Sequence, residues 1–158
     1  MIAADLEEFL ESGVTMLVGT RDAGLVAEAT RGLGARVHPD GKHLTIFVSE
    51  PLAGRTLDNV RDNGRIAVCF TRPIDHRSVQ MKGTATEVRP IRPGEGALID
   101  TYRGQVARAL AIVGIPARLT MRLAHRPAWA ITLEVRELFS QTPGPGAGAA
   151  LSSGAGDK

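Results

Sequence analysis

The sequence predicts a mainly β domain whose antiparallel strands meander toward a barrel, with helices at the periphery. Three observations lead there. By residue 49 three strand-like runs have followed one another through tight turns, Val14–Thr20, Leu25–Arg31 and His43–Ser49, which favours a meander or barrel over a parallel sheet. Two further runs, Arg65–Arg72 and Arg77–Val88, flank a break at 73–76. The last, Trp129–Phe139, alternates apolar and polar residues along its length. An open β-sandwich of the same strands is the alternative architecture.

In chain order, Ala3–Ser12 places Leu6, Phe9 and Leu10 on one helical face among Glu7, Glu8 and Glu11, and Gly13 stops it. Residues 21–24 turn the first strand into the second, Gly32 and Gly34 bend or bulge the chain, and Pro39-Asp40-Gly41 turns it into a strand with Leu44, Ile46 and Val48 alternating. Gly54–Asn63 reads as a short helix stopped by Gly64, a residue that accepts the left-handed turn ending helices. The strand 65–72 is apolar on both faces, so it is expected to be central. In the next, Val79, Met81, Gly83 and Ala85 fall on one side and Ser78, Gln80, Lys82 and Thr84 on the other, leaving a polar row that is either solvated or ligand-facing. Pro93–Val113 predicts a longer helix with Leu98, Tyr102, Val106, Ala109, Leu110 and Val113 in a stripe, and Ala117–Leu123 a short one. In the final strand Trp129, Ile131, Leu133, Val135 and Phe139 are expected on one side, opposite Thr132, Glu134 and Arg136.

A chain of 158 residues suits one domain, expected over 1–142, followed by a Gly/Ala/Ser-rich tail, 143–158, too poor in apolar bulk to order itself. The net charge of +2 argues against a nucleic-acid partner held by its phosphates. Cys69 is the single cysteine, which rules out an intrachain disulfide, and its strand position suggests a small core residue. Asp5, Glu7 and Glu8 stand where a secretory leader needs a basic region and an apolar run, and no stretch approaches a membrane span, so no membrane association and a cytoplasmic location are expected.

The main chemical signal is the start of the 54–63 helix. Arg55 and Thr56 lie beside unpaired backbone N–H groups and the positive end of the helix dipole, a favourable seat for a phosphate. Ser49 is a short loop away. Arg31 and Arg36, flanking the glycines, are further cation candidates; a solvated surface is the plain alternative for all of these. His38, His43, His76 and His125 show no metal-ligand spacing, and no nucleophile elbow, dinucleotide fingerprint or Walker loop occurs.

These elements resemble the pyridoxamine 5′-phosphate oxidase-like, flavin-binding split barrels. The match runs through Phe47-Val48-Ser49 at a strand end, Arg55 opening a helix, Asn59, then Val68-Cys69-Phe70 and Lys82-Gly83-Thr84-Ala85 on two strands, and covers roughly residues 6–142. The departure is Thr56, where the family usually has a lysine. The resemblance implies a six-stranded split barrel of Greek-key type, working as a homodimer with the cofactor between subunits. It implies FMN as cofactor, deazaflavin and haem being the alternatives, and a flavin-dependent oxidoreductase acting on a small molecule, with a non-catalytic flavin- or haem-binding or sensing protein as the other reading. Cofactor contacts are implied at Val48, Ser49, Arg55, Thr56, Gln80, Lys82, Arg31 and Trp129, with no metal. The end Gln141–Gly146 lacks the basic segment that the true oxidases use for a second phosphate, so pyridoxamine phosphate is not the expected substrate.

Overall fold

The computed structural model describes residues 2–151. Its strands are β1 (Thr15–Arg21), β2 (Ala27–Val37), β3 (His43–Ser49), β4 (Arg65–Thr71), β5 (Ser78–Pro90) and β6 (Ala128–Ser140); its helices are α1 (Ala4–Glu11), α2 (Thr56–Asn63), α3 (Glu95–Ile112) and α4 (Ala117–Met121). The strands pair antiparallel in the order β1-β2-β3-β6-β5-β4, with β4 returning to β1, so the barrel closes and the open sandwich is excluded. Closure leaves no unpaired edge along these strands.

Period-two patterning fills the interior. Val18, Leu44, Ile46, Val48, Val68, Phe70, Met81, Ile131 and Leu133 point inward and are fully buried. The two mouths are closed by amphipathic helices. At one, α1 inserts Leu6, Phe9 and Leu10, and Glu11 Oε1 accepts from the Val37 N–H at 2.7 Å. At the other, α2 inserts Leu57 and Val60, while Asn59 donates to Thr20 Oγ1 at 3.1 Å and Asn63 donates to the Arg21 carbonyl at 2.9 Å. Gly64 ends α2 with φ 67°, the left-handed cap that its sequence predicts.

The strands differ from the sequence reading in three places. First, the expected strand Leu25–Arg31 does not end at Arg31: β2 runs from Ala27 to Val37, and Gly32 and Gly34 form the expected bulge within it. Second, β3 is buried on both faces. Leu33, Phe47, Ile99, Ala128 and Ala130 form a second core beneath α3, outside the barrel, and Ile99, absent from the expected helical stripe, is fully buried there. The Tyr102 hydroxyl anchors α3, shared between the carbonyl oxygens of Leu10 and Val14 at 2.9 and 3.0 Å, and burial pushes its pKa up. Third, the pairing of β5 with β6 steps from Lys82↔Glu137 to Gly83↔Val135, so Arg136 is an extra residue in a β-bulge. The alternation of β6 reverses beyond it: Leu138 turns into the barrel and Phe139, expected in the inward row with Trp129, lies on the outer face.

Beyond β6 the chain loops and returns: Leu151 N–H donates to the Leu138 carbonyl at 2.8 Å and Ser140 N–H to the Ala149 carbonyl at 2.9 Å. The rest of the expected flexible tail, 152–158, lies outside the described residues.

Candidate functional site

The residues singled out by the sequence fall into two regions. The first is the junction of β3 with α2. After Ser49 a 3-10 turn, Glu50–Leu52, leads to Arg55, which is the N-cap of α2 and not part of its first turn, so the helix begins at Thr56. Ser49 Oγ and Thr56 Oγ1 are both buried without a hydrogen-bond partner, the two such side-chain atoms among the described residues. Leaving a hydroxyl in this state costs about 1–3 kcal/mol. Val48 turns its side chain into the barrel core, so only its backbone can face a ligand.

Arg55 is engaged. Its guanidinium lies 3.2 Å from Asp22 Oδ2 and 3.4 Å from Glu28 Oε2, carboxylates brought in by the β1–β2 hairpin. Glu28 also leans over Gly54 so closely that any side chain at 54 would collide with its carboxylate. The positive start of α2 is therefore partly neutralised by acids of the same chain, a feature that the sequence reading missed. Asp22 sits in a hairpin turn and Glu28 on a strand, tens of residues from Arg55, and no local pattern connects them.

The second region is the outer face of β1, β4 and β5. The strand register aligns Arg31, Leu17, Cys69, Gln80 and Phe139 in one transverse row, and Ala29, Gly19, Ala67, Lys82 and Glu137 in the next. With strands about 4.8 Å apart, Arg31 and Gln80 lie roughly 14 Å from each other across this face. Gln80 and Lys82 share the face as their spacing predicts. Gln141 Nε2 donates to Gln80 Oε1 at 3.3 Å, and Lys82 Nζ sits 4.8 Å from the centre of the Phe139 ring. Cys69 is half-buried on this outer side rather than in the core, opposite Leu17, whose exposure of 56% is high for an apolar strand residue. Because the floor of the face is small residues, a flat group can approach the sheet closely.

Trp129 borders the first region. It pairs with Val48 and Pro90 and packs on the barrel core; its indole N–H donates to Glu50 Oε2 at 2.5 Å, and the Arg61 guanidinium lies 4.8 Å from its ring centre. It closes the mouth under α2. Arg31 and Arg36 lie exposed on either side of the β2 bulge. His43 is bound to Asp40 at 2.6 Å and His38 to Thr45 at 2.8 Å, and among the described residues no group of three His, Cys, Asp or Glu side chains is gathered as a metal would need. No described helix is long and apolar enough to cross a membrane.

No family model and no curated protein matches the sequence. Solved structures do resemble the fold. HupZ of Group A Streptococcus superposes with a TM-score of 0.57 at 21% identity, covering 94% of this chain and 100% of its own. An F420 reductase gives 0.54 at 12% identity, with 84% and 94% covered. A putative pyridoxamine 5′-phosphate oxidase from Lactobacillus delbrueckii gives 0.54 at 16%, with 87% and 93% covered. The fold is thus the split barrel of pyridoxamine 5′-phosphate oxidase-like proteins, reached at identities that carry the architecture alone.

Proposed function

We propose that this protein binds FMN and works as a flavin-dependent oxidoreductase on a small molecule, as a homodimer with the cofactor between subunits. The observation that carries the reading is the pair of orphaned hydroxyls. Ser49 Oγ and Thr56 Oγ1 are buried donors without acceptors at the strand end and helix start where the resemblance puts a phosphate. A phosphate oxygen would supply the missing acceptors, and Arg55 a charge-assisted contact once released from Asp22 and Glu28. Thr56 brings a hydroxyl where a lysine would bring charge, so Arg55 is the cation on which the seat depends.

The outer face suits the rest of the molecule. Its small-residue floor admits a planar ring, Gln80 can donate or accept at a ring edge, and Lys82 places positive charge beside it. Bound there, the flavin supplies the electron transfer. The chain supplies position and electrostatics. The likeness to an F420 reductase supports a deazaflavin as second reading.

The absorption spectrum of the freshly purified protein tests the cofactor: two visible flavin bands are expected, whereas a single deazaflavin band or a Soret band would replace the reading. Anaerobic mixing with NADH or NADPH then tests the activity. Bleaching within seconds is the expected result, and a flavin that stays oxidised would make the protein a binding module. Arg55→Ala should weaken FMN binding roughly ten- to a hundred-fold, from about 1.5–3 kcal/mol for a charge-assisted contact.

A further inference from the structure

A groove of about 340 Å³ crosses the outer side of the barrel where β1, β4, β5 and β6 lie together. Its lining carries Arg21, Arg65, Lys82 and Arg136 together with one carboxylate, Glu137, which the register sets opposite Lys82. Arg136 is bound to Glu134 at 2.8 Å, but Arg21, Arg65 and Lys82 have no carboxylate within 4.0 Å among the described residues. Other arginines are paired, such as Arg55 with Asp22 and Glu28 and Arg72 with Asp75, and others again, such as Arg31, Arg36 and Arg77, are not paired among the described residues; what sets this groove apart is that three unpaired cations line one concavity. Crowding three unpaired cations repels them from one another, and a bound anion removes that repulsion.

The floor gives an independent reason. It is formed by Gly19 and Ala67, which the register places in one row with Lys82, and the backbone of Gly83 also lines it. Gly83 is demanded by packing, because a Cβ there would strike the Glu134 carbonyl oxygen. Gly19 is not. A Cβ at Gly19 would meet nothing nearer than 3.8 Å, and its backbone needs no left-handed conformation. Glycine is a poor strand residue, so its presence at a site open to a larger side chain goes unexplained by the fold. What it keeps clear is the floor beneath the cations.

We infer that this groove is a subsite for the dianionic phosphate group of a small molecule. Three cations exceed what a single carboxylate needs, arginine forks match phosphate oxygens, and the Thr84 hydroxyl at the groove edge can donate to a third oxygen. The subsite shares Lys82 with the face proposed for the flavin ring, but it rests on neither the flavin nor the dimer. It is separate from the Ser49–Thr56 seat.

The test is calorimetric titration of inorganic pyrophosphate, as the probe, into the full-length protein at low salt. Saturable binding is expected. Arg21→Gln with Arg65→Gln should weaken it about tenfold or more, and Gly19→Val should do the same by filling the floor, with no change in charge. Pyrophosphate can also enter the Ser49–Thr56 seat, so the titration is repeated in Arg55→Ala, where the binding that remains belongs to the groove and must fall with the arginine pair and with Gly19→Val; this keeps the outcome apart from that of the FMN reading. Gly19→Val is expected to unfold no earlier than the native chain on heating, since valine suits a strand. If Gly19→Val does unfold early, the arginine pair decides. Loss of binding in Arg55→Ala and not in the arginine pair, equal binding in all variants, or no saturation by about 10 mM would each overturn the subsite.

Discussion

Gly83 and Glu134 approach so closely across β5 and β6 that a Cβ on the glycine would collide with the glutamate's carbonyl oxygen. This contact lies beside the bulge at Arg136, the step that turns Phe139 outward to meet Lys82. Gly83→Ala must therefore move backbone against backbone, where no flexible side chain can give way. A loss of about 3 kcal/mol is expected, together with a changed environment at Phe139. An unchanged denaturant midpoint would mean that the bulge does not depend on the glycine.

Removing an orphaned hydroxyl should have opposite effects on the free and the loaded protein. Thr56→Val keeps the shape and deletes the unsatisfied donor, so the cofactor-free protein should gain about 1 kcal/mol. FMN should at the same time bind several-fold more weakly. A destabilised free protein would show that the hydroxyl has a partner after all.

The carboxylates beside Arg55 compete with any ligand anion. Glu28→Gln should tighten FMN binding by roughly three- to tenfold, since it removes one competitor for the guanidinium and one negative charge near the helix start. Fluorescence titration of FMN reads this directly, and weaker binding would show that Glu28 positions Arg55 rather than competing for it.

Lys82→Met removes the ammonium from the face holding Gln80. A fall of about 30 mV in the midpoint potential of bound FMN is expected, equal to roughly 1.4 kcal/mol for a two-electron couple. No shift, against a clear one in His76→Ala or His125→Ala, would move the ring off this face.

In the β4–β5 turn, hydrogen bonds from the Arg72 guanidinium and the Arg77 N–H lower the Asp75 pKa from 3.8 to about 2. A depressed carboxylate contributes stability above its unfolded pKa and loses it as pH falls through the folded value. The stability difference between the native chain and Asp75→Asn should accordingly be level from neutral pH down to about 4 and vanish on the way to about 2. A difference that persists below that would point to packing instead of charge.

The barrel was legible because period-two alternation in strands such as 78–84 needs only neighbouring residues to be read. The same local logic found the Asn63-Gly64 stop and the shared face of Gln80 and Lys82. It failed where the cause is remote. Arg136 looks like one more alternating residue until Gly83 is seen against Glu134. Phe47 reads as the solvent side of β3 until α3 lays Ile99 upon it, although an apolar residue at that position was a signal. Of the candidate site, the start of α2 at Thr56, a short turn beyond Ser49, was readable from turn and cap chemistry. The partners of Arg55, and the groove formed by Arg21, Arg65, Lys82 and Arg136, come together only through strand pairing.

The place of β6 between β3 and β5 also sets the order of events on the ribosome. Until residues 128–140 emerge, the nascent chain holds five strands with two open edges, β3 and β5, the former among the most apolar segments in the sequence. Such edges invite pairing with other chains. During synthesis of the long α3–α4 segment the half-built sheet must wait, and a translational pause between residues 95 and 127 should show itself as aggregation of newly made protein rather than as a less stable finished one.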